Sequence, residues 1–474
     1  MKFKNFSLLL LLSFFVNSCL DNKSMNKEIT SFRVSLTSTP SCGLDSEDEC
    51  LFSLEDNSFS IDVKVEALLA NRSINTNFNS SVIVSVVPSG IFDRDDPNFR
   101  DLPDGRDVII IKLVQGVWEG QISFKGAFGP TSIIAEDVGY EPAANVSEAT
   151  CYQKYTQGCF AVDDDNPLPG SGAAGVSNFL YFDNPRIYDI QRPEDLENIE
   201  SKYGDYSPLE GFRVQVDGSP YQGNQCAAGE SRLVVTQVGV AGLYVTDVCN
   251  RLDPNNPSDP IVSDFASLYI YNFNTPEELS IGDCLLSFQG SIDEFQSFTE
   301  MKNPFWTVDE CTEEDDFCEK GEPKCTGQLP APVELNTSIF NDFRSMEELE
   351  ASLVKVTNVV SNTEFRRCDL NNDGIIDFDD DQEDQCKDDC GTQVDCVVKE
   401  DFDQYFTWTV DMDGVEVGIV TRGVVPFDPE DPANQGINIH SITGNLKHLY
   451  FGKPAWIILP RTPSDLCINQ SDCQ

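Results

Sequence analysis

Histidine and positive charge are both scarce in this chain. Among 474 residues there are 2 His, and 32 Lys and Arg stand against 80 Asp and Glu, for a formal net charge of -48. Two imidazoles leave almost no material for histidine-based acid–base catalysis. A surface this acidic repels phosphate backbones and anionic headgroups, which disfavours nucleic-acid and membrane-surface binding. Long hydrophobic runs are missing too. The apolar run at residues 6–16 is shorter than the ~20 residues a helix needs to span a bilayer, and no other segment is apolar enough to do so. GxSxG, P-loop and HExxH patterns are also absent, which removes the common hydrolase and nucleotide signatures. What remains is ordinary globular material. With 40% hydrophobic residues the chain has enough to bury a core in each of about three domains.

The first eighteen residues have the layout of a signal peptide: Lys2 and Lys4, the apolar run, then Asn17 and Ser18 ahead of Cys19. Val16-Asn17-Ser18-Cys19 resembles a bacterial lipobox, with Asn17 where a small residue is usual. The resemblance implies that the Cys19 sulfur receives a diacylglycerol and becomes the mature N-terminus, anchoring the chain to a membrane through its acyl chains. In such lipoproteins Leu20, rather than Asp, after the Cys points to the outer membrane. Cysteine parity agrees. Of 17 Cys, one taken by lipid leaves an even sixteen, as expected for disulfides formed in an oxidising compartment. Cys42 with Cys50, Cys151 with Cys159, Cys318 with Cys325 and Cys467 with Cys473 lie close enough for small loop staples, and pairing among the rest stays open. Cys386, Cys390 and Cys396 lack the paired CxxC spacing of a structural zinc site.

Beyond a polar tether at 19–27, residues 28–142 read as an all-β module with strands at 29–36, 59–68, 82–87, 108–113 and 120–124. Ser60-Ile61-Asp62-Val63-Lys64-Val65-Glu66 alternates apolar and polar side chains, the period of a half-buried strand. Such strands need a second sheet to cover them, so the expected form is a sandwich. The pattern resembles the immunoglobulin-like domains of bacterial surface proteins. Residues 143–206 read as an irregular connector. Its Gly170-Ser171-Gly172-Ala173-Ala174-Gly175 is a formal GxGxxG, but an acidic proline loop precedes it and a strand-like segment follows. A dinucleotide fingerprint needs a strand before and a helix after.

Short strands return at 207–309, namely 211–216, 232–238, 242–247, 267–273 and 284–292. An acidic Cys-rich linker at 310–335 follows. A second set then occupies 336–474, with strands at 352–360, 406–411, 415–421, 437–446 and 455–459. Gly242-Leu243-Tyr244-Val245-Thr246-Asp247 parallels Phe406-Thr407-Trp408-Thr409-Val410-Asp411, and Gln289-Gly290-Ser291-Ile292 parallels Thr443-Gly444-Asn445-Leu446. This wording suggests duplication of a five-stranded unit. Three phrases carry a further likeness: Leu353-Val354-Lys355-Val356-Thr357-Asn358-Val359, Leu279-Ser280-Ile281-Gly282-Asp283 and Leu459-Pro460-Arg461-Thr462-Pro463-Ser464-Asp465. With them both stretches resemble the OB-like barrel modules that accompany bacterial secreted nucleases and occur in multidomain surface lipoproteins. The expected fold class is therefore all-β, an immunoglobulin-like sandwich followed by two OB-like five-stranded barrels.

An insertion at about 366–400 in the second barrel carries the sharpest motif, a calcium loop of EF-hand type. Hard Ca²⁺ takes six to eight oxygens. Asp369, Asn371, Asp373 and Asp377 supply positions 1, 3, 5 and 9, the Ile375 carbonyl position 7, and Asp380 position 12, where Glu is usual. His440 and His448 lie on the last barrel strands and read as ordinary strand histidines, because nothing in the spacing brings carboxylates to them. Tyr244, Tyr269, Tyr271, Phe273, Phe305 and Trp306 have few cations around them and suit cores or a neutral partner. The expectation is a lipid-anchored, non-catalytic envelope module with a calcium-stabilised loop, meeting a protein or carbohydrate partner. The alternative is an accessory component of a secreted nuclease or phosphoesterase system.

Overall fold

The computed structural model describes residues 29–52, 58–93, 96–101, 107–137, 172–193, 196–200, 204–221, 230–249, 264–312, 320–325, 329–362, 364–366, 396–398, 406–421, 424–429, 431–450 and 454–469. They form two compact units, the first drawn from the chain up to Ser41, Ser58–Phe124 and Ser132–Phe179, the second from Cys42–Asn57, Lys125–Thr131 and the chain from Leu180 on. The fold is all-β, an immunoglobulin-like sandwich and two closed five-stranded OB-like barrels.

The first unit is the sandwich. Its strands are β1 (Ile29–Leu36), β2 (Phe59–Leu69), β3 (Ser81–Val87), β4 (Ile91–Phe92), β5 (Phe99–Asp101), β6 (Asp107–Lys112), β7 (Val117–Lys125), β8 (Gly129–Glu136) and β9 (Ala174–Val176). One sheet runs β1-β2-β7-β4 and the other β8-β3-β6-β5, with β9 on β8. The alternation of β2 sets its faces: Ile61, Val63 and Val65 are buried, while Ser60 and Asp62 are exposed. Ala174–Val176, the end of the formal GxGxxG, is itself a strand rather than the start of a helix.

The second unit begins with β10 (Leu180–Phe182), which pairs residues Gly129–Thr131 of β8, beside the loop stapled by the Cys42–Cys50 disulfide. Next come α1 (Ile187–Gln191), β11 (Arg213–Asp217), β12 (Leu233–Gly239), β13 (Gly242–Asp247), β14 (Ser267–Tyr271), β15 (Cys284–Glu294) and β16 (Thr299–Val308). Strands β12-β13-β14-β16-β15 close the first barrel, with β14 and β16 parallel. Two details differ from the sequence reading. Segment 211–216, counted among the barrel strands, becomes β11 and pairs β15 from outside the ring; β16 closes the ring in its place. Only the second half of β16 alternates, and Pro304 interrupts it, so its sequence carries little strand signal. Cys325 joins Cys284 at the start of β15, not the nearby Cys318. The nearest cysteine in sequence is not the nearest once the barrel closes.

The second barrel has β17 (Val333–Glu334), α2 (Thr337–Phe340), α3 (Phe343–Glu347), β18 (Leu353–Ser361), β19 (Glu364–Arg366), β20 (Cys396–Val398), β21 (Thr407–Met412), β22 (Val415–Val420), β23 (Asn438–Tyr450), β24 (Pro454–Leu459) and β25 (Leu466–Cys467). Strands β18-β21-β22-β24-β23 close the ring, with β22 and β24 parallel. Counted in chain order, both barrels follow one strand sequence, and the duplicated phrases take equivalent places. Residues 242–247 and 407–411 lie on second strands, and Gly290 and Gly444 lie on fourth strands. Both glycines sit where the fifth strand crosses. A Cβ at Gly290 would stand 2.7 Å from the Lys302 carbonyl oxygen, and one at Gly444 2.5 Å from the Leu459 carbonyl carbon. Among the described residues no helix is long and apolar enough to cross a membrane.

Candidate functional site

OB folds take oligonucleotides and oligosaccharides on the face of strands two and three and through the loops beside it. In the first barrel that face is closed by the second. Leu243 and Val245 of β13 point into the core, so Tyr244 and Thr246 point outward, and both are buried. Tyr244, Tyr269 and Phe298 cluster with Ala351 and Leu459 of the second barrel. Hydrogen bonds lock the contact. Ser352 Oγ donates to Ser267 Oγ at 3.0 Å, Asn445 Nδ2 to Thr236 Oγ1 at 3.1 Å and Arg461 to the Thr236 carbonyl at 3.3 Å. Arg461 is itself held by Asp465 of the closing phrase, at 2.8 Å. The matching face of the second barrel carries Thr407, Thr409 and Asp411 on β21 and, paired with them, Val420, Gly418 and Glu416 on β22, all half-buried. Neither strand contains Lys or Arg. On the first barrel Phe273 and Phe305 are each 61% exposed, and the ring of Phe273 packs 4.5 Å from that of Tyr271.

The contact between the barrels also buries a set of ionisable groups that the sequence did not bring together. β15 and β16 are joined at Gln296 and Ser297, both with positive φ, the two-residue hairpin that matches strand twist. This tip presents the Ser297 carbonyl, Phe298 and Glu294 to the second barrel. From the other side, α3 and the turn after it send Met346 and Leu349 into the barrel core. Glu347 and Glu350, one position further on and likewise three apart, are 2% and 1% exposed. On β23, Asn445 and Lys447 alternate with Leu446 and His448. His448 is stacked on Trp456 at 4.1 Å with Phe343 edge-on at 5.6 Å. Asp205, from the segment ahead of β11, is also buried.

His448 Nδ1 lies 3.0 Å from the Ser297 carbonyl, 3.7 Å from Glu347 Oε2 and 3.9 Å from Asp205 Oδ2. Burial pushes the imidazole down to about 4, so it is neutral and Nδ1–H donates to Ser297. The carboxyls move the other way. Burial holds Glu347 and Glu350 well above the ordinary carboxylate range, and each feels neighbouring carboxylates as well. Glu294 is raised to about 8 by burial, against hydrogen bonds from Ser207 N and Thr299 Oγ1. Asp205 is raised by burial, partly offset by hydrogen bonds from its own backbone N–H and from the Ser297 side chain. Lys447, lowered by burial, faces Glu300 and Glu350 and sits over the rings of Phe298 and Tyr269 at 4.8 and 5.3 Å. Chemically this is a buried pocket of acids with one neutral imidazole among them and a single amine, Lys447, at its edge. Burying that many carboxylates requires protons or a cation.

His440 and His448 do not converge. They stand eight positions apart on β23, roughly 26 Å of strand. The sequence reading took both as ordinary strand histidines with no carboxylates brought to them; for His448 the structure differs, placing Glu347 and Asp205 beside it. The available signal was the paired spacing of Glu347 and Glu350 beside Met346 and Leu349, which in sequence looks like a solvated helix edge. Cys19 and the calcium-loop residues Asp369, Asn371, Asp373, Ile375, Asp377 and Asp380 lie outside the described residues. No protein-family model matches the chain, and no characterised protein does. Among solved structures, dimeric latent PorU from Porphyromonas gingivalis aligns with 71% of this chain and 26% of its own length, at 9% identity and a TM-score of 0.16. At that score it says nothing of fold or function.

Proposed function

We propose that the chain is an exported, lipid-anchored protein of the bacterial cell envelope, at the outer membrane, acting as a non-catalytic binding or structural module with a calcium-stabilised loop. One observation supports this reading above the others: the usual ligand face of the first barrel is buried under the second, which makes the pair a stiff scaffold. The corresponding face left to the second barrel is neutral to acidic. A single-stranded nucleic acid needs a cationic track beside its stacking aromatics, so a glycan or a protein is the better occupant. The lipobox-like Val16-Asn17-Ser18-Cys19 supports the anchor, and the 369–380 loop supports calcium.

The test is a glycan array and an envelope-protein array probed with the purified chain and with Thr407→Arg/Val420→Arg, two residues paired across β21 and β22. Saturable binding lost in the variant supports the binding reading; saturable binding in neither array reduces the role to an envelope spacer. Incubation with DNA and Mg²⁺ or Ca²⁺ addresses the nuclease-accessory reading, since reproducible metal-dependent cleavage overturns the non-catalytic one. The intact mass of the mature N-terminus decides whether Cys19 is acylated.

A further inference from the structure

Four carboxylates and one imidazole meet at the dry contact between the barrels, and nothing in the proposed role uses them. We propose that Asp205, Glu347 and His448 bind one divalent transition-metal ion of the zinc class, sealed between the two barrels. The donor atoms, one from each residue, all lie within 4.8 Å of one another, with His448 Nδ1 3.7 Å from Glu347 Oε2 and 3.9 Å from Asp205 Oδ2. Zinc with bonds of about 2.0–2.2 Å sets tetrahedral ligand edges of about 3.3–3.6 Å, so the two edges to His448 close with shifts of a few tenths of an ångström and the edge between the carboxylates with one of up to roughly 1 Å, within reach of side-chain rotation. For Nδ1 to ligate, the imidazole takes its other neutral tautomer, with the proton on Nε2, and the Ser297 carbonyl, 3.0 Å from Nδ1 and freed of that hydrogen bond, is a ready fourth donor.

An independent observation points to a ligand. Glu347 Oε2, the oxygen that faces His448, has no hydrogen-bond partner, although the Glu347 side chain is 1% exposed. A buried polar atom aimed into a cluster and left unpaired is costly unless something occupies the cluster. One dication held by two carboxylates also leaves the site neutral, where the bare acids must carry protons. One nitrogen with oxygen donors suits zinc better than calcium or magnesium, which take oxygen alone. The imidazole has no acceptor at Nε2, so its aim is set by packing, by the stack on Trp456 and the edge of Phe343. Asp205 and Ser297 come from one barrel's side and Glu347 and His448 from the other. Bound metal would therefore cross-link the two barrels.

The experiment uses the full exported chain, with zinc supplied both in the growth medium and to the purified protein, so that a sealed site loads while it folds. Calcium is kept at saturation so that the 369–380 loop does not take up zinc. Elemental analysis after dialysis is expected to find one zinc per chain, and Co²⁺ in its place is expected to give the visible absorption of a four-coordinate N/O site. His448→Gln and Glu347→Gln are each expected to weaken retention at least tenfold and to abolish the zinc-dependent rise in Tm. Where either variant fails to fold, Asp205→Asn is read by the same elemental and Co²⁺ measurements. A parent that retains no zinc and shows no Tm shift overturns the proposal, as does zinc retained undiminished by the variants. A chain that binds no glycan or protein partner yet retains zinc at these residues separates this inference from the proposed function.

Discussion

Gly444→Ala isolates the geometry that closes the second barrel. Gly444 lies on β23 where the end of β24 passes over it, and a Cβ there would stand 2.5 Å from the Leu459 carbonyl carbon and 2.7 Å from Pro460 N. Those are backbone atoms, so no rotamer relieves the clash. Ordinary contact at about 3.4 Å or more requires the strands to part by roughly 1 Å. Asn445 and Leu459 are paired in the adjoining register, so the displacement weakens one or two ladder bonds at about 1 kcal/mol each. Overpacking adds about 1–3 kcal/mol, giving an expected loss of about 3 kcal/mol. At ~2–4 °C per kcal/mol for a body of this kind, Tm falls by roughly 6–12 °C. Trp408 and Trp456 both belong to this barrel's core, so denaturant titration followed by tryptophan fluorescence reports on it directly. The control is Gly239→Ala, where the nearest atom to a Cβ is the Gly242 carbonyl oxygen at an ordinary 3.5 Å. That variant is expected to change stability by under about 1 kcal/mol, on the stabilising side if at all. Equal melting of Gly444→Ala and the parent would refute the close crossing.

Four other outcomes are expected. Replacing Cys284 and Cys325 by Ala opens a loop of sequence separation 41, and loop-closure entropy puts the loss at about 4 kcal/mol in reversible denaturant unfolding. Glu294 has a folded pKa near 8 against an ordinary 4.5, so folding takes up a proton and stability falls as pH rises between those values. The full effect is at most about 5 kcal/mol, and Glu294→Gln, which keeps a neutral acceptor for Ser207 N and Thr299 Oγ1, is expected to flatten the profile measured from pH 5 to 9 in chelator. Asn445→Ala leaves the Ala351 carbonyl without its 2.8 Å donor and Thr236 Oγ1 without its own, a loss of about 1–3 kcal/mol by thermal unfolding. Asp369→Ala with Asp373→Ala is expected to abolish a calcium-dependent rise in Tm; no such rise in the parent sinks the calcium loop.

Local pattern was enough for much of the architecture. The alternation of apolar residues in β1, β2 and β21 placed those strands within a residue or so of their ends, because side-chain period is a property of neighbouring positions. The repeated Gly290 and Gly444 marked equivalent crossings for the same local reason, and Cys42 found Cys50 within its own loop. β16 escaped notice because half of it packs on both faces and so shows no period.

Long-range closure decided the rest. Whether β11 or β16 completes a ring, and whether Cys325 meets Cys284, depends on which strand lies beside β15, and hydrogen-bond pairing across a barrel leaves no mark in either partner's own sequence. The meeting of Asp205, Glu347 and His448 is of the same kind. Each residue taken alone is an ordinary solvated acid or strand imidazole. Only the docking of one barrel on the other removes water from all three and turns their charges into a shared problem that an ion or protons must answer.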